Sequence, residues 1–163
     1  MPNDTKVMAR KDFVFDVARA TSDDAGAVAP LFHRYREFFA GAQDEATSGG
    51  FLAERLRRDD SVIFVARDGE RAVGFVQLYP LWSSWYCEPI WFLSDLYVEE
   101  SARKRGIGAW LVRRVVEHAR ETRARSILVE LPRREPHLRD FYARLGFAAD
   151  EVFELARFRF RSE

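Results

Sequence analysis

A basic, glycine-containing turn is the part of this sequence best suited to chemistry. Residues 103–108 read Arg-Lys-Arg-Gly-Ile-Gly and precede a segment with helical periodicity. Glycines let the backbone approach a ligand without a Cβ in the way, and the first N–H groups of a helix lack intrahelical partners and attract anions. Basic side chains beside those amides add charge-assisted hydrogen bonds. The turn therefore predicts a cradle for a phosphate or pyrophosphate group.

Three other kinds of site do not fit the same residues. The dinucleotide fingerprint requires glycine or alanine at position 111, where Leu111 stands, and the Walker sequence Gly-Lys-Ser/Thr is absent. His33, His118 and His137 lack the spacing of metal ligands, and the lone Cys87 has no cysteine partner, so no metal is predicted. A tight turn that binds nothing is the remaining alternative.

The residues around the turn predict a strand, a helix and a second strand. Trp91–Val98 has the composition of a strand, and Ser126–Leu131 is a short apolar run typical of a buried parallel strand. Between them, apolar residues recur every four positions, at Ile107, Leu111, Val115 and Ala119. A strand–helix–strand unit with a right-handed crossover would hold the turn in place.

The rest of the chain predicts a mixed α/β fold. A strand starts near Phe13, two helices occupy about 21–58, and the pair Asp68-Gly69 indicates a tight hairpin. A short helix over 136–145 and β structure over 147–160 follow the central unit. The predicted order is β-α-α-β-β-β-α-β-α-β-β, with a twisted mixed sheet flanked by helices.

Composition limits the classes of function. The 163 residues fit a single domain over 1–163, of which 1–11 are expected to be flexible. Because 26 basic residues balance 26 acidic ones, no overall field favours nucleic acid or an acidic membrane. One cysteine indicates a reducing compartment, and no apolar run is long enough to span a membrane. We expect a cytoplasmic protein with neither nucleic acid nor membrane as partner.

Two motifs together resemble the GNAT family of N-acetyltransferases. The first is Arg103-x-x-Gly106-x-Gly108, which follows the strand residues Leu96–Val98. The second is Tyr142, four residues before the pair Gly146-Phe147. The motifs occur in the family's order, with a helix and a strand between them, and the predicted elements are similar to that fold.

The resemblance implies an acetyl-CoA site built largely from backbone. The strand Leu96–Val98 would pair with the pantetheine arm as an added strand, and the amides of 103–109 would bind the pyrophosphate. Two neighbouring parallel strands would splay apart around the thioester, and Tyr142 would protonate the departing CoA thiolate. The implied cofactor-binding residues are Leu96, Tyr97, Val98, Arg103, Lys104, Arg105, Gly106, Ile107, Gly108, Ala109 and Tyr142.

Acetyl transfer needs a base, and Asp95 is the first candidate. An alkyl amine with a pKa of about 10.4 is almost wholly protonated at pH 7, and freeing it of the proton costs about 4.6 kcal/mol. Asp95 lies on the strand next to the supposed thioester, so its carboxylate could accept that proton. Glu130 is a weaker candidate, and a structural aspartate at a bulge is the alternative interpretation. The resemblance also places Tyr35 in a helix that borders the acceptor.

The segment Leu93–Val98 resembles the polyamine and diamine acetyltransferase branch of the family. It departs from that branch at Ser94, where a glutamate is common, and Glu135 stands where many members have asparagine.

The leading prediction is an enzyme that transfers an acetyl group from acetyl-CoA to a primary amine. The acceptor would be a small molecule of the polyamine, diamine or amino-sugar type. A protein or peptide acceptor on the same fold is one alternative, and a non-catalytic acyl-CoA-binding module is another. The aromatic loop over 80–89 and the terminal β segment make a homodimer a reasonable expectation.

Overall fold

The computed structural model describes residues 6–10, 13–41, 44–133, 135–152 and 155–160. The chain divides into two compact units, Met1–Glu130 and Leu131–Glu163. The first unit contains β1 (Lys6–Arg10), β2 (Phe13–Arg19), α1 (Ala25–Ala40), α2 (Glu45–Arg58), β3 (Val62–Asp68), β4 (Arg71–Ser83), β5 (Glu88–Val98), α3 (Ile107–Glu121) and β6 (Ile127–Val129). The second contains α4 (Pro136–Arg144). The expectation of one domain over 1–163 stays a prediction.

The first unit is built on a six-stranded sheet with its strands in chain order. Neighbouring strands are antiparallel from β1 to β5, and β6 pairs with β5 in parallel. A mixed α/β fold with a parallel β5–α3–β6 unit is therefore confirmed. The hairpin predicted at Asp68-Gly69 joins β3 to β4, and Gly69 takes the left-handed conformation with φ of 62°.

Helices cover both faces of the sheet. Residues of α1 and α2 pack against one face of β3 and β4, in a cluster that includes Val28, Leu31, Phe32, Leu52, Ile63, Val65 and Phe75. The alternate residue Phe64 faces α3, where its ring lies 5.5 Å from that of His118. The four residues predicted as the apolar side of α3 are all buried, and each of the three larger side chains, Ile107, Leu111 and Val115, contributes about 1.5–3 kcal/mol. This packing fixes the start of α3 beside the end of β5.

Local signals set the ends of α1 and α2. A capping box between Thr21 and Asp24 precedes α1, and Gly41, with φ of 62°, ends it. The carboxylate of Asp44 accepts a hydrogen bond of 3.0 Å from the amide of Ala46 and so begins α2. The pair Gly49-Gly50 lies within α2, which is continuous from Glu45 to Arg58.

The expectation that residues 1–11 are flexible stays a prediction; Lys6–Arg10 pairs with β2, and residues 1–5 and 11 lie outside the described residues. Two segments differ from the predictions. The predicted loop over 80–89 is mostly strand, because β4 and β5 extend their pairing to Ser83 and Glu88. We predicted β structure over 147–160, but the described residues 147–152 and 155–160 form no strand.

The terminal difference has a physical reason. Phe158 and Phe160 alternate with arginines, which is the pattern of a strand, but both rings are exposed, at 83% and 88%. Alternation favours an extended backbone, whereas a strand also needs a neighbour to pair with.

In α1 to α4, which are all described, no helix is long and apolar enough to cross a membrane.

Candidate active site

The start of α3 is an uncapped helix N-terminus. Gly106 precedes it as the N-cap residue with φ of 86°, in the left-handed region, and has no side chain that could cap the first turn. A Cβ at 106 would meet no atom within 4 Å, so glycine is needed for backbone conformation and not for space. The amides of Ile107, Gly108 and Ala109 have no partners within the helix. An anion placed here would accept hydrogen bonds from them.

The basic side chains of the turn have structural partners of their own. Arg103 donates from Nε to the Val98 carbonyl at 3.0 Å, and its guanidinium lies 5.7 Å from the centre of the Tyr97 ring. Arg105 pairs with Asp68 at 2.9 Å. These contacts fasten the turn to the ends of β5 and β3. The two arginines therefore preorganise the turn, a role that sequence reasoning missed, while Lys104 is exposed.

One edge of β5 is only partly paired. On the side of β4 the pairing continues to Val98, but on the side of β6 it covers only Trp91–Leu93. Within the described residues, no strand pairs with 94–98 on that side. Gly74 lets β4 lie close, because a Cβ there would come within 2.9 Å of the Tyr97 carbonyl oxygen. Backbone groups at such an edge can pair with an extended ligand.

A β-bulge at Ser94 decides which way Asp95 faces. Leu93 pairs with Leu78 and Asp95 pairs with Gln77, so Ser94 is an extra residue in β5. Residues 93 and 95 of a regular strand would share a face. Because the extra residue intervenes, Leu93 joins the face of the sheet covered by α3, and Asp95 joins the face covered by α1.

Asp95 is a buried carboxylate with few polar neighbours. Its residue is only 8% exposed. Burial raises the pKa of Asp95, while hydrogen bonds from the side chains of Tyr35 and Ser94 oppose that rise. A carboxylate in this environment binds a proton more readily than an exposed one. The bulge fits both the catalytic and the structural interpretation of Asp95.

Two residues of β4 extend the polar surroundings of Asp95. Gln77, which is fully buried, donates from Nε2 to the Ser61 hydroxyl at 2.9 Å and to the Tyr79 hydroxyl at 3.1 Å. Burial raises the pKa of Tyr79 to about 12, and the negative charge of Asp95 adds to the effect. Tyr79 is therefore a neutral phenol near the carboxylate. Sequence reasoning missed Gln77 and Tyr79, although a glutamine within an apolar strand is itself an unusual signal.

Tyr142 lies near the end of α4 in the second unit. Its ring is 5.1 Å from that of Phe141 and 5.4 Å from that of Phe147, and the residue is 5% exposed. Burial raises the pKa of Tyr142, so the phenol keeps its proton at neutral pH. Gly146 follows α4 with φ of 92°. Glu135 precedes α4 as its N-cap residue, and its side chain caps no amide.

The first unit brings together most of the residues that the sequence singled out. The start of α3 follows directly on the open edge of β5, and the bulge with Asp95 lies on the same strand. Glu130 follows β6 and is exposed. Among the described residues, no three His, Cys, Asp or Glu side chains cluster as metal ligands.

Comparison with known proteins gives the family. The acetyltransferase (GNAT) family model matches residues 28–147. The uncharacterized N-acetyltransferase YhfO of Bacillus subtilis is 34% identical over 138 residues, which is 85% of this chain and 93% of that protein. The chain belongs to the GNAT family of acetyltransferases. Its enzyme class is that of an acetyl-CoA-dependent N-acetyltransferase.

Solved structures of the family share this architecture. The crystal structure of a probable acetyltransferase matches with a TM-score of 0.83 and 34% identity, covering 90% of this chain and 99% of that one. Aminoglycoside N-acetyltransferase AAC(6')-Iy in complex with CoA matches with a TM-score of 0.72, over 98% and 99% of the two chains. At 19% identity this second likeness concerns the fold alone.

Proposed function

We propose that this GNAT protein transfers the acetyl group of acetyl-CoA to a primary amine of a small molecule. The observation that carries the proposal is the uncapped start of α3, which residues 99–106 connect to the open edge of β5. The first feature suits the pyrophosphate of CoA, and the second suits its extended pantetheine arm. The cofactor-binding residues would be those named from the sequence, 96–98 and 103–109, with Tyr142.

Transfer requires three events at the thioester. The amine nitrogen bonds to the thioester carbon, the carbonyl oxygen becomes negative, and the carbon–sulfur bond then breaks to release CoA. A backbone N–H of Leu96–Val98 would stabilise the oxyanion. Asp95 would take the proton from the amine, and Tyr142 would donate one to the thiolate. Its raised pKa supports the role of Tyr142, because the phenol holds its proton until the thiolate forms.

The acceptor is proposed to be a polyamine, a diamine or an amino sugar. Each offers a cationic primary amine, and a buried carboxylate such as Asp95 attracts that charge. The likeness of Leu93–Val98 to the polyamine and diamine branch adds support. That likeness is weaker at Ser94, where a glutamate is common in the branch. If the acceptor is instead a protein or peptide, the enzyme should acetylate amine-bearing peptides and no small amine.

A thiol-release assay with a panel of amines tests the function. The purified protein should release CoA with at least one small primary amine and bind acetyl-CoA in calorimetry. Tyr142→Phe should lower kcat by about 100-fold, the ordinary contribution of a general acid. Tyr86→Phe, which alters an exposed phenol of the β4–β5 hairpin, is the matched control.

Two results would count against the proposal. Failure to bind acetyl-CoA would show that the proposed cofactor site is wrong. Binding without turnover on any amine would favour a non-catalytic acyl-CoA-binding module. If Tyr142→Phe turns over like the unaltered chain at every pH, Tyr142 is not the acid.

A further inference from the structure

Tyr35 connects helix α1 to the bulge in β5. Its hydroxyl donates to the Ser94 carbonyl oxygen at 3.4 Å, directly beside Asp95 in the chain. A hydrogen bond from the Tyr35 side chain also opposes the rise in the pKa of Asp95 that burial causes. The ring is held by its aromatic neighbours, with Phe39 at 5.0 Å and Phe75 at 6.2 Å between centroids. A phenol anchored in this way has its oxygen fixed between a carbonyl and a carboxylate.

A phenol in this position can satisfy the aspartate in two ways. A tyrosine hydroxyl has one proton to donate and an oxygen that can also accept. When Asp95 is a carboxylate, the Tyr35 proton can point to it. When Asp95 is protonated, its O–H can donate to the Tyr35 oxygen, and the Tyr35 proton can turn to the Ser94 carbonyl. In both states the buried Asp95 carboxyl group keeps a hydrogen bond to Tyr35, and leaving it without a partner would cost free energy.

We propose that Tyr35 is a positioning residue that holds Asp95 in place in both of its protonation states. The inference rests on the proposed role of Asp95 as base. In that role the amine loses a proton, the carboxylate gains it, and the hydrogen bond with Tyr35 reverses its direction. Tyr35 itself neither gains nor loses a proton, so it acts through Asp95 and not on the substrate.

Other groups around Asp95 do not duplicate this arrangement. Ser94 hydrogen-bonds to the carboxylate from the neighbouring position of the same strand. The charge of Asp95 acts on the Tyr79 phenol of β4, but the hydrogen bonds that act on the Asp95 carboxylate come from Tyr35 and Ser94. Beyond Tyr79 lie Arg55 and Asp60, whose charges act on that phenol with opposite signs. Tyr35 alone among these groups couples the carboxylate to a helix and to the backbone of the bulge.

A titration of the Asp95 carboxyl group tests the inference without any substrate. Aspartate labelled with ¹³C at the carboxyl carbon gives one NMR signal per residue, and Asp95→Asn assigns the signal of interest. Tyr35→Phe keeps the ring but removes the hydroxyl, so the carboxylate loses a charge-assisted hydrogen bond. The midpoint of the Asp95 titration should rise by about one pH unit, a tenfold change in its protonation equilibrium.

Kinetics and a control variant complete the test. In Tyr35→Phe the acid limb of kcat/KM should move to higher pH by the same amount, with KM for acetyl-CoA unchanged. Tyr86→Phe should leave the midpoint and the limb where they are in the unaltered chain. Thermal unfolding of both variants checks that they fold, and Ser94→Ala, which removes the other hydroxyl, should raise the midpoint less than Tyr35→Phe does.

The failure of this inference differs from the failure of the proposed function. An Asp95 midpoint in Tyr35→Phe that coincides with that of the unaltered chain overturns the positioning role, even if the enzyme turns over normally. Absence of turnover on every amine overturns the proposed function, and the carboxyl titration can still be measured. An acid limb that stays in place while the midpoint moves also overturns the positioning role in catalysis.

Discussion

Residues 94–98 of β5 lie beside β4 but pair with no described strand on the side of β6, and the two ends of this stretch offer different kinds of chemistry. At the end near α3, Leu96–Val98 and residues 106–109 present backbone N–H and C=O groups. At the bulge, Ser94 and Asp95 meet side chains from α1 and β4. The first end depends on backbone conformation, whereas the second depends on which side chains are present. One strand could thus carry the proposed cofactor site, made of backbone groups, and the proposed acceptor site, made of side chains.

The two ends also differ in what they cost the fold. Amides at a helix start are without intrahelical partners in any helix, so the proposed pyrophosphate site needs little beyond a left-handed glycine. A buried carboxylate loses its hydration, and the raised pKa of Asp95 records that loss. Variants at the two ends should therefore differ in which kinetic constant changes and in how stability responds.

Asp95→Asn should give the largest effect. The amide cannot accept a proton from the amine, so kcat should fall by about 100-fold, the lower range for a general base. Affinity for acetyl-CoA, measured by calorimetry, should be unchanged because the backbone site is intact. In the unaltered chain, the rate should rise with pH through the raised pKa of Asp95, and this limb should vanish in the variant.

A matched control for that variant is Asp59→Asn. Asp59 is an exposed aspartate that pairs with Arg19 at 2.9 Å, and its left-handed φ of 50° suits asparagine equally well. Its kcat should equal that of the unaltered chain. Equal losses in both variants would mean that Asp95 has no special role in the chemistry.

Gly106→Val should give the next largest effect, and it should weaken the affinity for CoA instead of lowering kcat. A β-branched residue is strained at φ of 86°, so the turn should shift and misplace the first amides of α3. A loss of about 2 kcal/mol corresponds to roughly 30-fold weaker binding of CoA. Gly41→Ala places a side chain at a similar left-handed position, at the end of α1, and should leave CoA affinity unchanged.

Backbone sites of this kind can be predicted from sequence. The positions of Gly106 and the basic residues identified the turn, and the periodicity of Ile107, Leu111 and Val115 identified the helix behind it. Both signals are local, since the turn and the helix start are contiguous in the chain. The exception is the pairing of Arg105 with Asp68, which joins residues that are distant in sequence.

The acceptor side could be predicted only in part. Asp95 was found because it is an acid on the strand before the turn, and Tyr35 only as a helix residue near the acceptor. The two residues are 60 positions apart in the sequence, and their interaction depends on the bulge at Ser94, which no residue pattern predicts. A one-residue change of register decides which face Asp95 joins. Such a change follows from tertiary packing and not from local propensity.

The fold shows the same division between local and long-range signals. The two helices over about 21–58 were predicted, and the structure shows that local caps such as Asp44 and Gly41 bound them. The prediction of β structure over 147–160 was wrong for the described residues. Alternation of apolar and basic residues indicates an extended backbone but does not supply a strand to pair with. A prediction from period alone is therefore weakest at the edge of a sheet.

Asp95→Asn should have a second and smaller effect, on stability. The pKa of Asp95 is raised in the folded chain, so the fold favours the protonated form. Its contribution to stability is complete below the pKa of the unfolded chain and is lost as pH rises through the folded pKa. Asparagine is neutral throughout, so the variant should have a Tm a few degrees higher than the unaltered chain at pH 7. That difference should disappear below about pH 4, where Asp95 is protonated in both states. A Tm that falls on substitution at pH 7 would mean that the carboxylate stabilises the bulge, and the two ends of β5 would then differ in chemistry but not in cost.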